Sequence, residues 1–138
     1  MSDHFDRIRD SFARQSFMQT LQVRLDHIGH GRCTLVAPVL PTTTQQHGAG
    51  HAGVTFTLGD VAAGYAALSV LPDGAEVMTA EIKINLLRPA MGELLEATGE
   101  VLKAGRRLVV VKSDIHAISG GKRALIATML GTMVPVDP

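Results

Sequence analysis

The stretch that most constrains the fold is residues 52–70, Ala-Gly-Val-Thr-Phe-Thr-Leu-Gly-Asp-Val-Ala-Ala-Gly-Tyr-Ala-Ala-Leu-Ser-Val. Val54, Leu58, Val61, Tyr65 and Leu68 recur at spacings of three and four, which predicts a helix of about five turns. Ala62, Ala63, Gly64, Ala66 and Ala67 spread small side chains over most of its remaining surface. A helix that narrow invites other backbone to approach it closely on several sides. Leu71-Pro72-Asp73-Gly74 ends it, because proline cannot continue a helix and Asp-Gly favours a turn.

Strand patterns surround this helix. Leu21, Val23 and Leu25 alternate with Gln22, Arg24 and Asp26, the period of a strand buried on one face. Gly29-His30-Gly31 turns the chain into a partner strand over Arg32–Ala37, which Pro38 ends. After the helix, Met78, Ala80, Ile82, Ile84 and Leu86 alternate with Thr79, Glu81, Lys83 and Asn85, which puts Thr79 on the face opposite Ile82 and Ile84. Further alternation covers Leu95–Val101 and Leu108–Ile118. Ser119-Gly120-Gly121-Lys122 then signals a hairpin into a last strand over about Arg123–Val134. At the amino end, Phe5, Ile8 and Phe12 share one face of a short helix spanning about residues 3–18. Phe5, Phe12 and Phe17 are expected to cap an end of the sheet. The order is helix, two strands, long helix, four strands, an α+β layout.

Composition excludes several classes. A chain of 138 residues, 46% of them hydrophobic, fits a single domain over 1–138. Its 13 basic and 13 acidic residues balance, which argues against a nucleic-acid partner. No run approaches the ~18–20 apolar residues of a membrane span, and Met1–Arg7 lacks a signal-peptide core. Cys33 is the only cysteine, so an internal disulfide and a cysteine metal cluster are excluded and a cytoplasmic location is expected. It reads as a small buried hydrophobe.

Chemistry concentrates where the long helix begins. The loop Thr42–Gly50 carries Gln45 and His47, and His51 precedes the helix. Asp60 sits among Leu58, Gly59, Val61 and Ala62, where a carboxylate is costly to bury without a partner or a purpose. The bland alternatives are a solvated Asp60 and a His51 that caps the helix. His47 and His51 have the i, i+4 spacing of metal ligands, but Gly48 and Gly50 break any helical ligand face and no third ligand is marked. No metal or cofactor is expected.

The run His51-Ala52-Gly53-x-x-x-x-Leu58-x-Asp60-x-x-x-Gly64-x-Ala66 resembles the PaaI-like branch of the hotdog-fold acyl-CoA thioesterases. Lys83-Ile84-Asn85-Leu86-Leu87-Arg88-Pro89-Ala90, Gly92 and Gly131-Thr132 follow in the expected order, so the resemblance covers about residues 20 to 134. Two positions depart from it: Gln45 stands where the family has asparagine, and Ala52 replaces the first glycine after the histidine. The resemblance implies an antiparallel sheet wrapped around one long central helix. It also implies hydrolysis of an acyl- or aryl-CoA thioester, with Asp60 as general base or nucleophile. Gly53 N–H would polarise the carbonyl, with His51 and Gln45 orienting or donating to it.

Asp60 lies seven residues beyond Gly53, ~10 Å along the axis, too far to act on a carbonyl held there by the same chain. The resemblance resolves this with a homodimer, or a dimer of dimers, whose sites each take the loop from one subunit and the carboxylate from the other. Comparison with relatives makes Thr79 a candidate to assist the attacking water. Arg106 and Arg107 are candidates for the coenzyme A phosphates, as are Lys122 and Arg123, and Arg88 is a candidate substrate-binding residue. The competing readings are a silent acyl-CoA binder, which would bind without turnover, and a hotdog hydratase or dehydratase, which would want an Asp/His pair placed for proton transfer.

Overall fold

Along one late strand, Val109, Val111, Ser113, Ile115 and Ala117 are buried while the intervening residues are not. This two-residue period lets one face of a sheet cover the long helix. The structure, a computed structural model, describes residues 2–137. It contains α1 (Ser2–Ala13), α2 (Ser16–Thr20), β1 (Arg24–Gly29), β2 (Arg32–Pro38), a single 3-10 turn (Pro41–Thr43), α3 (Ala52–Leu68), β3 (Glu76–Leu86), β4 (Leu94–Ala104), β5 (Val109–Ser119) and β6 (Lys122–Val136). The strands form one sheet in the order β1-β2-β4-β5-β6-β3, and every pairing is antiparallel.

The small residues of α3 are explained by what lies against them. Leu58, Ala62, Ala63, Ala66 and Ala67 are fully buried, and α3 packs on β2, β3, β4 and β5. Leu35, Leu95, Ile115 and Met129 fill the core beneath it. Gly99 of β4 faces the Ala62 backbone so closely that a Cβ there would overlap the Ala62 carbonyl. The Ser113 hydroxyl donates to the Gly59 carbonyl at 2.7 Å, a buried bond that ties α3 to β5. We expect Gly99→Ala to destabilise the fold by about 1–3 kcal/mol, because overpacking has rigid backbone on both sides. Denaturant unfolding of the variant measures this directly.

Three expectations need correction. The amino-terminal helix is two helices rather than one over 3–18. Gln15 takes an extended conformation (φ −81°, ψ 101°), which breaks the helix, turns its amide toward Tyr65 and lets Met18 bury. Phe5 and Phe12 pack against the core, but Phe17 is 53% exposed and caps nothing. The third correction concerns β3, whose pairing with β6 skips one residue between Thr79 and Glu81. That bulge reverses the alternation, so Thr79 joins the inward face of Ile82 and Ile84 instead of opposing it.

Among the described residues, no helix is long and apolar enough to cross a membrane.

Candidate active site

The two halves of the candidate site lie at different points along α3. At its start, His51 is the N-cap (φ −64°, ψ 138°) and its Nδ1 accepts the Gly53 N–H at 2.8 Å. The His51 carbonyl accepts the Val54 N–H at 3.0 Å. A neutral imidazole whose Nδ1 accepts carries its proton on Nε2, which is then the nitrogen left to donate. The helix capping considered for His51 is thus realised. It changes the reading of Gly53, whose N–H is taken up within the chain. The helix-start N–H without a protein acceptor among the described residues is that of Ala52.

The loop before α3 is braced by its own amides. Gln45 Oε1 accepts the N–H groups of His47 and Ala49 at 2.6 and 3.2 Å, which leaves Gln45 Nε2 as its outward donor. The Gly50 N–H donates to the Ala90 carbonyl at 2.9 Å and so fixes the loop beside the segment that follows β3. A cleft of about 390 Å³ opens there, bounded by Gln45, Ala52, Leu87, Arg88 and Ile126.

Asp60 faces a different cleft, of about 250 Å³, bounded also by Gly64, Tyr65 and Thr79. The Thr79 hydroxyl donates to Asp60 Oδ1 at 2.7 Å and also contacts Met133 Sδ at 3.2 Å. One carboxylate oxygen is therefore held, while the other has no hydrogen-bond partner among the described residues. Eight residues of helix separate Ala52 from Asp60, about 12 Å. Within one chain the two halves do not meet. Both clefts border β3, the first at its Leu86 end and the second at its Glu76–Thr79 end.

The basic candidates divide in the same way. Arg88 lines the loop cleft. Arg106 and Arg107 are exposed in the β4–β5 turn, at the end of the sheet where Met133 pairs with both Val109 and Thr79. Lys122 begins β6 at the opposite end, and Arg123 is engaged by Glu96. His47 is exposed, and the described residues hold no group of three or more His, Cys, Asp or Glu able to bind a metal. Cys33 is fully buried, and desolvation pushes its thiol up to about 12, so it remains an inert thiol at neutral pH.

Two features escaped the sequence. Ser11 and Gln15 reach Tyr65 across 54 and 50 positions, and no local pattern signals such a contact. Ala52 was legible only as a departure from the glycine pattern, because side-chain identity does not reveal which backbone N–H is left free.

An antiparallel sheet wrapped on one central helix, with a capped His-x-Gly start and a hydrogen-bonded aspartate two turns on, defines a hotdog-fold thioesterase domain. The chain belongs to the Thioesterase superfamily, whose family profile matches residues 47–124, more than half of it. A thioesterase family protein from Silicibacter pomeroyi is 42% identical, with a TM-score of 0.95 over 98% of this chain and 99% of its own. A candidate esterase of Saccharolobus solfataricus is 28% identical over 121 residues, which is 87% of this chain and 86% of the relative. The E. coli PaaI protein, from the phenylacetic acid degradation operon, shares the fold at 20% identity and a TM-score of 0.86, over 96% of this chain and 93% of its own.

Proposed function

We propose that the protein hydrolyses an acyl- or aryl-CoA thioester to the free acid and coenzyme A, at sites shared between two copies of the chain. The observation that carries this reading is the Thr79–Asp60 hydrogen bond, which leaves one carboxylate oxygen free beside a cleft on a thioesterase-superfamily helix. Asp60 takes a proton from water as the water oxygen attacks the thioester carbonyl carbon. The oxyanion that forms is held by the Ala52 N–H and Gln45 Nε2, with His51 Nε2–H beside them and the helix dipole behind them. Collapse of the intermediate breaks the carbon–sulfur bond, and the thiolate recovers the proton from Asp60.

The shared site follows from the two ends of β3. This strand is an 11-residue edge, and Met78 and Leu86 on it are 63% and 56% exposed. A long strand with no neighbour on its outer side invites strand pairing. Antiparallel pairing of β3 with a second copy sets the Thr79 end of one strand beside the Leu86 end of the other. Each Asp60 cleft then meets the other subunit's Gln45–Ala52 loop. The same operation brings Arg106 and Arg107 of one subunit to the end that holds Arg88 of the other, where they would meet the coenzyme A phosphates. The domain spans 1–138 in this reading and requires no cofactor.

The test is release of coenzyme A from a panel of acyl- and aryl-CoA thioesters, with free acid and thiol measured together. Equal amounts of acid and thiol support hydrolysis. Binding without release by the wild type would favour the silent binder. Thr79→Val, which keeps the shape and removes the hydroxyl, is expected to lower kcat about tenfold with little change in KM. Steady-state kinetics on any accepted thioester reads this, and unchanged kcat would remove Thr79 from the site.

A further inference from the structure

The Asp60 cleft has a second wall that hydrolysis itself does not use. Tyr65, only 7% exposed, accepts a hydrogen bond from Gln15 Nε2 at 2.8 Å, and its hydroxyl lies 2.9 Å from Ser11 Oγ. Ile8 is buried and the Phe12 ring meets Tyr65 edge-on at 6.2 Å, which holds the α1–Gln15 segment over α3. Ser11, Gln15 and Tyr65 line the same cleft as Asp60 and Thr79. If the Tyr65 proton goes to Ser11, the Ser11 hydroxyl is left to donate into the cleft, and Gln15 Oε1 has an acceptor to offer.

Between these walls lies Gly64, one turn beyond Asp60. Glycine weakens a helix interior relative to alanine. Gly59 and Gly99 are glycine because neighbouring atoms press on them, but a Cβ at Gly64 would meet nothing within 4 Å. Packing within the chain therefore gives no reason for glycine there, whereas an occupant of the cleft does.

We propose that the cleft over Gly64 is the acyl subsite, and that the Tyr65–Ser11–Gln15 cluster closes it with a hydrogen-bonding end. The inference rests on the thioesterase reading and names its substrate class. The favoured acyl group is short, reaching about one helical turn past Asp60, and carries a hydroxyl or similar oxygen at its far end. Long saturated chains meet a polar wall.

The test compares kcat/KM for acetyl-, pentanoyl-, ω-hydroxypentanoyl- and dodecanoyl-CoA. Wild type should favour ω-hydroxypentanoyl over pentanoyl by about fivefold, the ratio that one ordinary hydrogen bond gives, mostly in KM. Dodecanoyl-CoA should be the poorest substrate. Tyr65→Phe and Gln15→Leu should each reduce the hydroxyl preference toward unity. Gly64→Val should lower the pentanoyl-to-acetyl ratio by about tenfold through overfilling. Gly64→Ala should do so less while raising Tm, which guards against a variant that simply misfolds. An unchanged ratio in active Gly64→Val overturns the proposal, as does a wild type that prefers dodecanoyl-CoA. Sedimentation showing that Gly64→Val falls apart into monomers also overturns it, because Gly64 is then an interface contact. A wild type inert toward every thioester overturns this inference and the thioesterase reading together, whereas an active wild type with unaltered ratios overturns this inference alone.

Discussion

Asp60→Asn is expected to lower kcat by about 10²–10⁴-fold, the range that a positioned general base contributes. The substitution keeps the size of the side chain and an oxygen able to accept the Thr79 hydroxyl, so the geometry around 2.7 Å can persist. What is lost is the carboxylate oxygen that accepts the proton from water. KM should change much less than kcat, because the carboxylate acts in the transition state more than in binding. Circular dichroism and thermal unfolding should match the wild type. A variant with wild-type kcat on every accepted thioester would remove Asp60 from the mechanism.

Ala52→Pro is expected to lower kcat by about 10²–10³-fold, comparable to loss of one oxyanion donor elsewhere. The backbone tolerates this exchange unusually well. Ala52 is the first residue of α3, where proline is favoured and no intrahelical N–H is lost. The residue before a proline must be extended, and His51 already sits at φ −64° and ψ 138°. The variant therefore deletes one N–H and leaves the helix start intact. A stable Ala52→Pro protein with undiminished kcat would transfer the oxyanion role to other donors, first to Gln45 Nε2.

Much of this was legible in the sequence, for identifiable reasons. The α3 span was readable because Val54, Leu58, Tyr65 and Leu68 keep a strict helical period and Pro72 marks the stop. β4 and β5 were readable because most of each strand alternates on its buried face, and β6 because Ser119–Lys122 signals the hairpin before it, although a bulge buries Ile126 and Ala127 together. Thr79 was placed on the wrong face because a bulge at Ala80 leaves no mark in the pattern of residue types. The break at Gln15 was missed because no proline or glycine signals it; a long-range partner, Tyr65, accompanies the conformation instead. Asp60 stood out as a candidate because an aspartate among apolar and small residues calls for a reason. The free N–H of Ala52 was not visible, since it depends on His51 turning its ring back onto Gly53.

The central claim is that Asp60 of one chain acts on a thioester held by the loop of another. Each of Asp60→Asn and Ala52→Pro alone has both sites impaired in a homodimer. The two variants are to be unfolded together and refolded at equal concentration, and thioester hydrolysis then measured. Random reassortment makes half of the dimers mixed. Each mixed dimer joins one wild-type loop to one wild-type Asp60, so activity should return to about a quarter of the wild-type value. Activity that stays at the level of the separate variants, although mass analysis shows mixed dimers, would contradict the shared site and place both halves of the chemistry within one chain.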